Sequence, residues 1–164
     1  MLEFDQLIKG DAIPEAVDSL TLAYDQRVRG RLRATTDQGR DAGLFLDRGG
    51  VLRDGDCLLA RSGEIVRVRA ADEPVVTARV APGLELARLC YHLGNRHVVL
   101  AIGVDARSAW VRFPPDHVLE ELAERLGASL ERHKAPFDPE PGAYDRAGHH
   151  HHGHEGHHHH AHAH

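Results

Sequence analysis

The sequence has few cysteines and no long apolar run. Its 164 residues include two cysteines, Cys57 and Cys90, which form neither a CxxC pair nor a disulfide framework. No run approaches the roughly 18 apolar residues of a membrane helix, and the first residues show no signal-peptide pattern. The net charge of −5 argues against a nucleic-acid binder, which should be clearly basic. We therefore expect a cytoplasmic protein with reduced thiols, and neither a membrane nor a nucleic acid as partner.

Histidine is abundant and unevenly distributed, because eleven of the 15 histidines lie in the last part of the chain. These are His149, His150, His151, His152, His154, His157, His158, His159, His160, His162 and His164. Neutral imidazole suits Ni²⁺, Cu²⁺ and Zn²⁺, and a flexible string of imidazoles can bind an ion in many registers. A purification tag is the alternative interpretation, but no run exceeds four histidines, and Gly, Ala and Glu interrupt the pattern.

The chain before this tail shows two different patterns, which together predict an α+β protein. Residues 1–74 contain short alternating stretches separated by turns, which predict a small N-terminal all-β domain. Residues 75–142 follow the order β-α-β-β-α-β, which is typical of a ferredoxin-like domain. Three prolines between residues 136 and 141 predict a stiff spacer. The tail, residues 143–164, should be disordered without metal because its histidine-rich part cannot bury a core.

One strand prediction carries a functional alternative. Residues 27–34 (RVRGRLRA) alternate strictly, which predicts a strand with Arg27, Arg29, Arg31 and Arg33 on one face. This face is either solvated or a docking surface for an acidic partner. Further strands are predicted at residues 20–24, 57–60, 65–69, 98–104 and 109–113. A helix is predicted at residues 84–93, and a second helix should begin at residues 114–116.

Four histidines lie outside the tail. His92 and His97 are five residues apart, which is about 140° of rotation on a helix, so they should not converge on one ion. His97 follows the Gly-Asn pair that should end the first helix, and spacing alone allows an ordinary turn histidine there. His117 lies one helical turn before Glu121, so a surface hydrogen bond or a weak metal position is possible. His133 has no obvious partner.

No enzyme motif is present. Cys57 and Cys90 lack the neighbours of a catalytic thiol, and neither a G-x-S-x-G elbow nor a GxxxxGK[ST] loop occurs. A metal-dependent hydrolase needs three fixed ligands, a bound water and a general base. The sequence offers no such trio outside the tail, and we expect a protein that is not an enzyme.

Residues 91–97 (YHLGNRH) resemble the central motif of the UreE family of urease accessory proteins, which are nickel metallochaperones. The resemblance covers nearly the whole chain in one colinear order, and a histidine-rich C-terminus is frequent in that family. Four further segments also resemble the family: residues 27–32, 52–56, 116–119 and 137–144.

The resemblance implies an N-terminal domain similar to a chaperone peptide-binding domain, and a ferredoxin-like domain that forms a homodimer. His97 matches the principal ligand of the family, with two copies sharing one ion across the two-fold axis. His92 belongs to the same motif but is not that ligand. His117 matches one of a pair of peripheral histidines, and Pro115 stands here in place of the other.

The function implied by the resemblance is nickel delivery. The tail would capture Ni²⁺, and the paired His97 side chains would hold the ion. The ion would then be transferred, by way of the urease accessory GTPase, to the complex of urease apoprotein and accessory proteins. We expect Zn²⁺ or Cu²⁺ to bind as well, since imidazole suits all three ions. The alternative is a general nickel or zinc storage protein without a dedicated client.

Overall fold

The computed structural model describes residues 1–8, 14–47, 50–106 and 108–142. These residues form two sheets and three helices, so the chain is a mixed α+β protein dominated by strands, as its sequence predicts. Within the described ranges, no helix is long and apolar enough to cross a membrane. The tail lies outside these ranges, and so do the predictions made for it.

The first sheet contains six strands and one short helix in its connections. The elements are β1 (Leu2–Ile8), β2 (Asp18–Leu22), α1 (Tyr24–Arg27), β3 (Arg31–Thr35), β4 (Asp41–Phe45), β5 (Cys57–Ala60) and β6 (Ile65–Ala70). The strand order is β2-β6-β5-β1-β4-β3, with β1–β4 and β2–β6 parallel and the other pairs antiparallel. Alternate residues of these strands point inward, so that Phe4, Leu20, Leu44, Leu58 and Val66 form a core.

The second sheet is entirely antiparallel and carries both longer helices. Its elements are β7 (Asp72–Val80), α2 (Leu84–Gly94), β8 (Ala101–Val104), β9 (Ala109–Phe113), α3 (His117–Arg125) and β10 (Ser129–Pro136). The element order is β-α-β-β-α-β, and the strand order is β10-β7-β9-β8. Leu89 and Leu93 of α2 pack with Val111, Phe113 and Ala123 in one core, which places both helices on the same face.

The chain continues after β10 as a short segment, residues 137–140, which we call the strap. Phe137 is buried with Val75 and Ala101 of the second sheet. Its ring also meets Tyr24 of α1 edge-on, with 5.3 Å between the ring centroids. The strap therefore links α1 to the second sheet through a small apolar cluster.

The predicted arginine face is wrong at Arg27. Residues 24–27 form α1, where the side chain of Gln26 accepts a hydrogen bond from the backbone of Ala23, and β3 begins only at Arg31. Arg27 is completely buried, so it shares no solvent face with the exposed arginines. Arg29 and Arg33 are exposed as predicted and form surface ion pairs with Asp25 and Asp41.

Candidate metal site

The candidate site lies where α2 ends. Leu89 and Leu93 bury one face of this helix, and Gly94 is its last residue. The amide of Asn95 still donates to the carbonyl oxygen of Tyr91 at 3.0 Å, and the amide of His97 donates to that of Gly94 at 2.9 Å. His97 is thus placed by a tight turn on the end of a packed helix, as the Gly-Asn pair predicts.

The backbone of His97 has an unusual conformation. Its φ is +57°, and within the described ranges it is the one residue other than glycine with a positive φ. Such residues are uncommon, and strained conformations cluster at functional sites. The His97 side chain is exposed, so its imidazole is accessible to a ligand from outside the chain.

His92 lies on the last turn of α2 and is also exposed. Its ring meets the ring of Tyr91 edge-on, with 5.3 Å between the centroids. His92 is therefore exposed on the regular helix, whereas His97 is exposed in the turn that follows.

His117 is the first residue of α3, and its side chain is exposed. The helix begins at Asp116, whose carboxylate accepts hydrogen bonds from the amides of Val118 and Leu119. Glu121 forms an ion pair with Arg125 at 2.5 Å instead of the suggested hydrogen bond with His117. The interpretation of His117 as one partner of a surface pair with Glu121 is therefore wrong.

His133 has partners that its sequence context did not reveal. It is half-buried on β10, and its Nε2 lies 2.7 Å from the hydroxyl of Thr77 on β7. Arg112 of β9 donates to the same hydroxyl at 3.0 Å. The alternation of β7 and β10 could have placed these side chains on one face, but their pairing depends on strand register.

The described residues do not form a complete metal site within one chain. Across residues 1–8, 14–47, 50–106 and 108–142, no three His, Cys, Asp or Glu side chains are grouped so as to hold an ion. Cys57 is buried in the first sheet, and burial raises the pKa of the half-buried Cys90 thiol, which disfavours the thiolate that binds metal. Cys57 is thus part of the interior, and Cys90 packs partly buried against the core of the second sheet.

Exposed apolar side chains lie on α2 and β8. Leu84 and Tyr91 are 64% and 66% exposed and are two turns apart on α2. Ile102 and Val104 are 39% and 70% exposed on β8, which is an end strand of its sheet. We call these four residues the apolar surface, and they lie on the two elements joined by the His97 turn.

Comparison with known proteins identifies the family. The model of the UreE urease accessory protein N-terminal domain matches residues 4–71, and that of the C-terminal domain matches residues 73–164. The chain belongs to the UreE family of urease accessory proteins. This confirms the resemblance based on residues 91–97.

Close relatives span most of the chain. The urease accessory protein UreE of Marinobacter nauticus is 66% identical over 154 residues, covering 90% of this chain and 85% of the relative. The UreE protein of Pseudoalteromonas translucida is 63% identical over 149 residues, covering 90% and 88%. That of Alkalilimnicola ehrlichii is 49% identical over 137 residues, covering 82% of each.

Proposed function

We propose that this UreE-family chain is a cytoplasmic nickel metallochaperone rather than an enzyme. It captures Ni²⁺ and passes it, through the urease accessory GTPase, to the complex of urease apoprotein and accessory proteins. The observation that carries the proposal is the exposed His97, held with a positive φ in the turn between a packed helix and an end strand. An accessible imidazole on a fixed turn is suited to bind a metal ion that must later be released.

The proposed assembly is a homodimer in which two copies of His97 share one ion. A two-fold interface duplicates every residue, so one histidine per chain supplies two ligands. The apolar surface on α2 and β8 supports this arrangement, because Leu84, Tyr91 and Val104 would leave water on dimerisation. The domain that carries it, residues 75–142, is proposed to be ferredoxin-like on the basis of its element and strand orders.

The remaining domains have separate proposed roles. Residues 1–74 form the proposed N-terminal domain. The resemblance to the family implies that this domain is similar to a chaperone peptide-binding domain. Residues 143–164 form the metal-gathering tail. Ligand histidines must be neutral, and their usual pKa is about 6.5, so nickel capture by the tail should weaken below that pH.

The tail can reach His97 of its own chain. The amide of Glu140 lies 2.7 Å from the carbonyl oxygen of Leu100, which is three residues and therefore at most about 11 Å of chain from His97. His149 follows Glu140 by nine residues, or about 30 Å of extended chain. Tail histidines are therefore proposed to complete or supply the His97 site. His92 and His117 are proposed as accessory positions only.

Storage of nickel or zinc without a client is the alternative function. The same residues would serve it, since imidazole ligands suit Zn²⁺ and Cu²⁺ as well as Ni²⁺. A client therefore distinguishes the two functions, and activation of urease is the relevant measurement.

Replacing His97 tests the metal site directly. We expect His97→Ala in the full-length protein to remove the tight class of Ni²⁺ sites seen by titration calorimetry, because it removes both symmetric ligands at once. The many weaker tail sites should remain. Arg33→Ala, at an exposed position of the first sheet, is the control and should leave the tight class intact. An unchanged tight class in His97→Ala would refute the proposal.

A further inference from the structure

The strap contacts two parts of the molecule that are distant in sequence. On one side it meets Arg27 and Arg53 of the N-terminal region. On the other side it meets Leu100 and Ala101, which follow the His97 turn. The strap therefore connects the N-terminal region physically with the segment that leaves the candidate metal site.

The N-terminal contacts form a charged group that we call the clamp, consisting of Arg27, Arg53 and Asp138. Nη1 of Arg27 lies 2.9 Å from Oδ1 of Asp138, and Nη1 of Arg53 lies 3.1 Å from the same oxygen. Both arginines also donate to strap carbonyl groups, Arg27 to that of Phe137 and Arg53 to that of Pro139. Four hydrogen bonds thus hold two backbone carbonyl groups and one carboxylate of the strap.

The burial of Arg27 requires that its charge be paired within the clamp. The Arg27 side chain is fully buried, whereas the Asp138 side chain retains 34% of its exposure. A buried charge that loses its partner is strongly destabilising, so the Asp138 carboxylate must stay where Arg27 requires it. Arg27 also donates to the carbonyl oxygen of Leu52 at 2.9 Å, which fixes the guanidinium itself. The clamp therefore fixes the position of the strap.

The other side of the strap restrains the exit from the turn. The amide of Glu140 donates to the carbonyl oxygen of Leu100 at 2.7 Å, and Phe137 packs in one cluster with Ala101. Leu100 is itself buried in the core that includes Leu93 of α2. The His97 turn is thus held at its start by Leu93 and at its end by Leu100, and the strap carries part of the second restraint.

We propose that Arg27, Arg53 and Asp138 are positioning residues for the His97 metal site, acting through the bond from the strap to Leu100. The proposal rests on the proposed role of His97 as a nickel ligand. Outer-shell partners that orient a metal ligand affect metal affinity by about 10- to 100-fold when replaced. The clamp acts at greater distance, so an effect at the lower end of that range is expected.

The test compares two aspartate-to-asparagine variants of the full-length protein. Asp138→Asn keeps the size of the side chain but removes its charge from the clamp. Asp41→Asn is the matched control, since Asp41 pairs with the exposed Arg33 away from the strap. Titration with Ni²⁺ alone measures the tight and weak classes of sites, and hydrogen exchange of the Glu140 amide reports whether the strap stays on Leu100.

We expect Asp138→Asn to weaken the tight class about tenfold, to leave the weak tail sites unchanged, and to speed exchange of the Glu140 amide. Arg53→Gln, at a partly exposed position, should act in the same direction and serves if Asp138→Asn does not fold. If the tight class of Asp138→Asn binds Ni²⁺ with the same affinity as that of Asp41→Asn, the proposal is overturned, whether or not the Glu140 amide exchanges faster. Failure of His97→Ala to remove the tight class would instead refute the nickel site itself, so the two failures are distinguishable.

Discussion

His97 combines a costly backbone conformation with an exposed functional side chain. A left-handed conformation costs an L-residue other than glycine roughly 1–2 kcal/mol. Histidine tolerates it better than β-branched residues do, but glycine tolerates it best. The residue is therefore poorly suited to its backbone position, which is understandable if the imidazole is needed there.

This conflict predicts that stability and metal binding respond differently at position 97. We expect His97→Gly to be more stable than His97→Ala by about 1 kcal/mol, because glycine adopts the observed φ of +57° without the steric cost of a Cβ. Both variants should lose the tight nickel class equally. Urea unfolding without metal measures the difference, and equal stability of the two variants would show that the turn is not strained.

Arg27 shows the limit of prediction at the scale of one residue. The alternation of residues 27–34 assigns it to a solvated strand face, yet it is buried. Its partners, Leu52, Phe137 and Asp138, lie 25 to 111 residues away along the chain. Local patterning contains no information on such contacts. The same reason explains why the partner of His133 was missed.

At the scale of secondary structure, several elements were predicted with nearly their observed bounds, whereas the strands predicted at residues 20–24 and 27–34 are displaced to Asp18–Leu22 and Arg31–Thr35. The strands at residues 57–60 and 109–113 were predicted with the observed bounds, and α2 differs by one residue. The four-residue α1 is too short to show helical periodicity. The strand expected from residue 98 begins at Ala101, since the carbonyl group of Leu100 accepts a hydrogen bond from the strap.

The pairing of β8 with β9 depends on a glycine beneath an aromatic ring. Gly103 is opposite Trp110, and a Cβ on Gly103 would lie 2.1 Å from Cζ2 of that ring. The guanidinium of Arg112 covers the ring at 4.7 Å from its centroid, which restricts any movement of the indole. Only glycine fits this position without displacing Trp110.

We therefore expect Gly103→Ala to destabilise the protein by about 1–3 kcal/mol through overpacking. Trp110 is the single tryptophan of the chain, so its fluorescence should shift in the folded variant. Gly50→Ala is the control, because nothing in the described part of the chain, apart from the neighbouring residues, lies within 4 Å of a Cβ built there, and it should change stability by less than about 0.5 kcal/mol. Equal unfolding midpoints for the two variants would contradict this account of the β8–β9 pair.

At the scale of the whole molecule, the proposed function divides between the turn and the tail. The tail carries eleven histidines per chain and was recognised from composition alone. The role of His97 needed the family motif, because spacing alone allowed an ordinary turn histidine. A tail of many equivalent ligands provides capacity, whereas one ligand on a fixed turn provides a defined position from which a client can receive the ion.

This division predicts different defects for two variants in urease activation. A chain lacking residues 148–164 should keep roughly one tight Ni²⁺ per dimer and should activate urease normally when nickel is plentiful, failing only when nickel is scarce. His97→Ala should retain most of the binding capacity but activate poorly even with ample nickel, since the shared site that presents the ion is lost. Urease activity in cells carrying each variant, measured across a range of nickel concentrations, makes the comparison. Full activation by His97→Ala would favour a storage protein, in which total capacity rather than a placed ion matters.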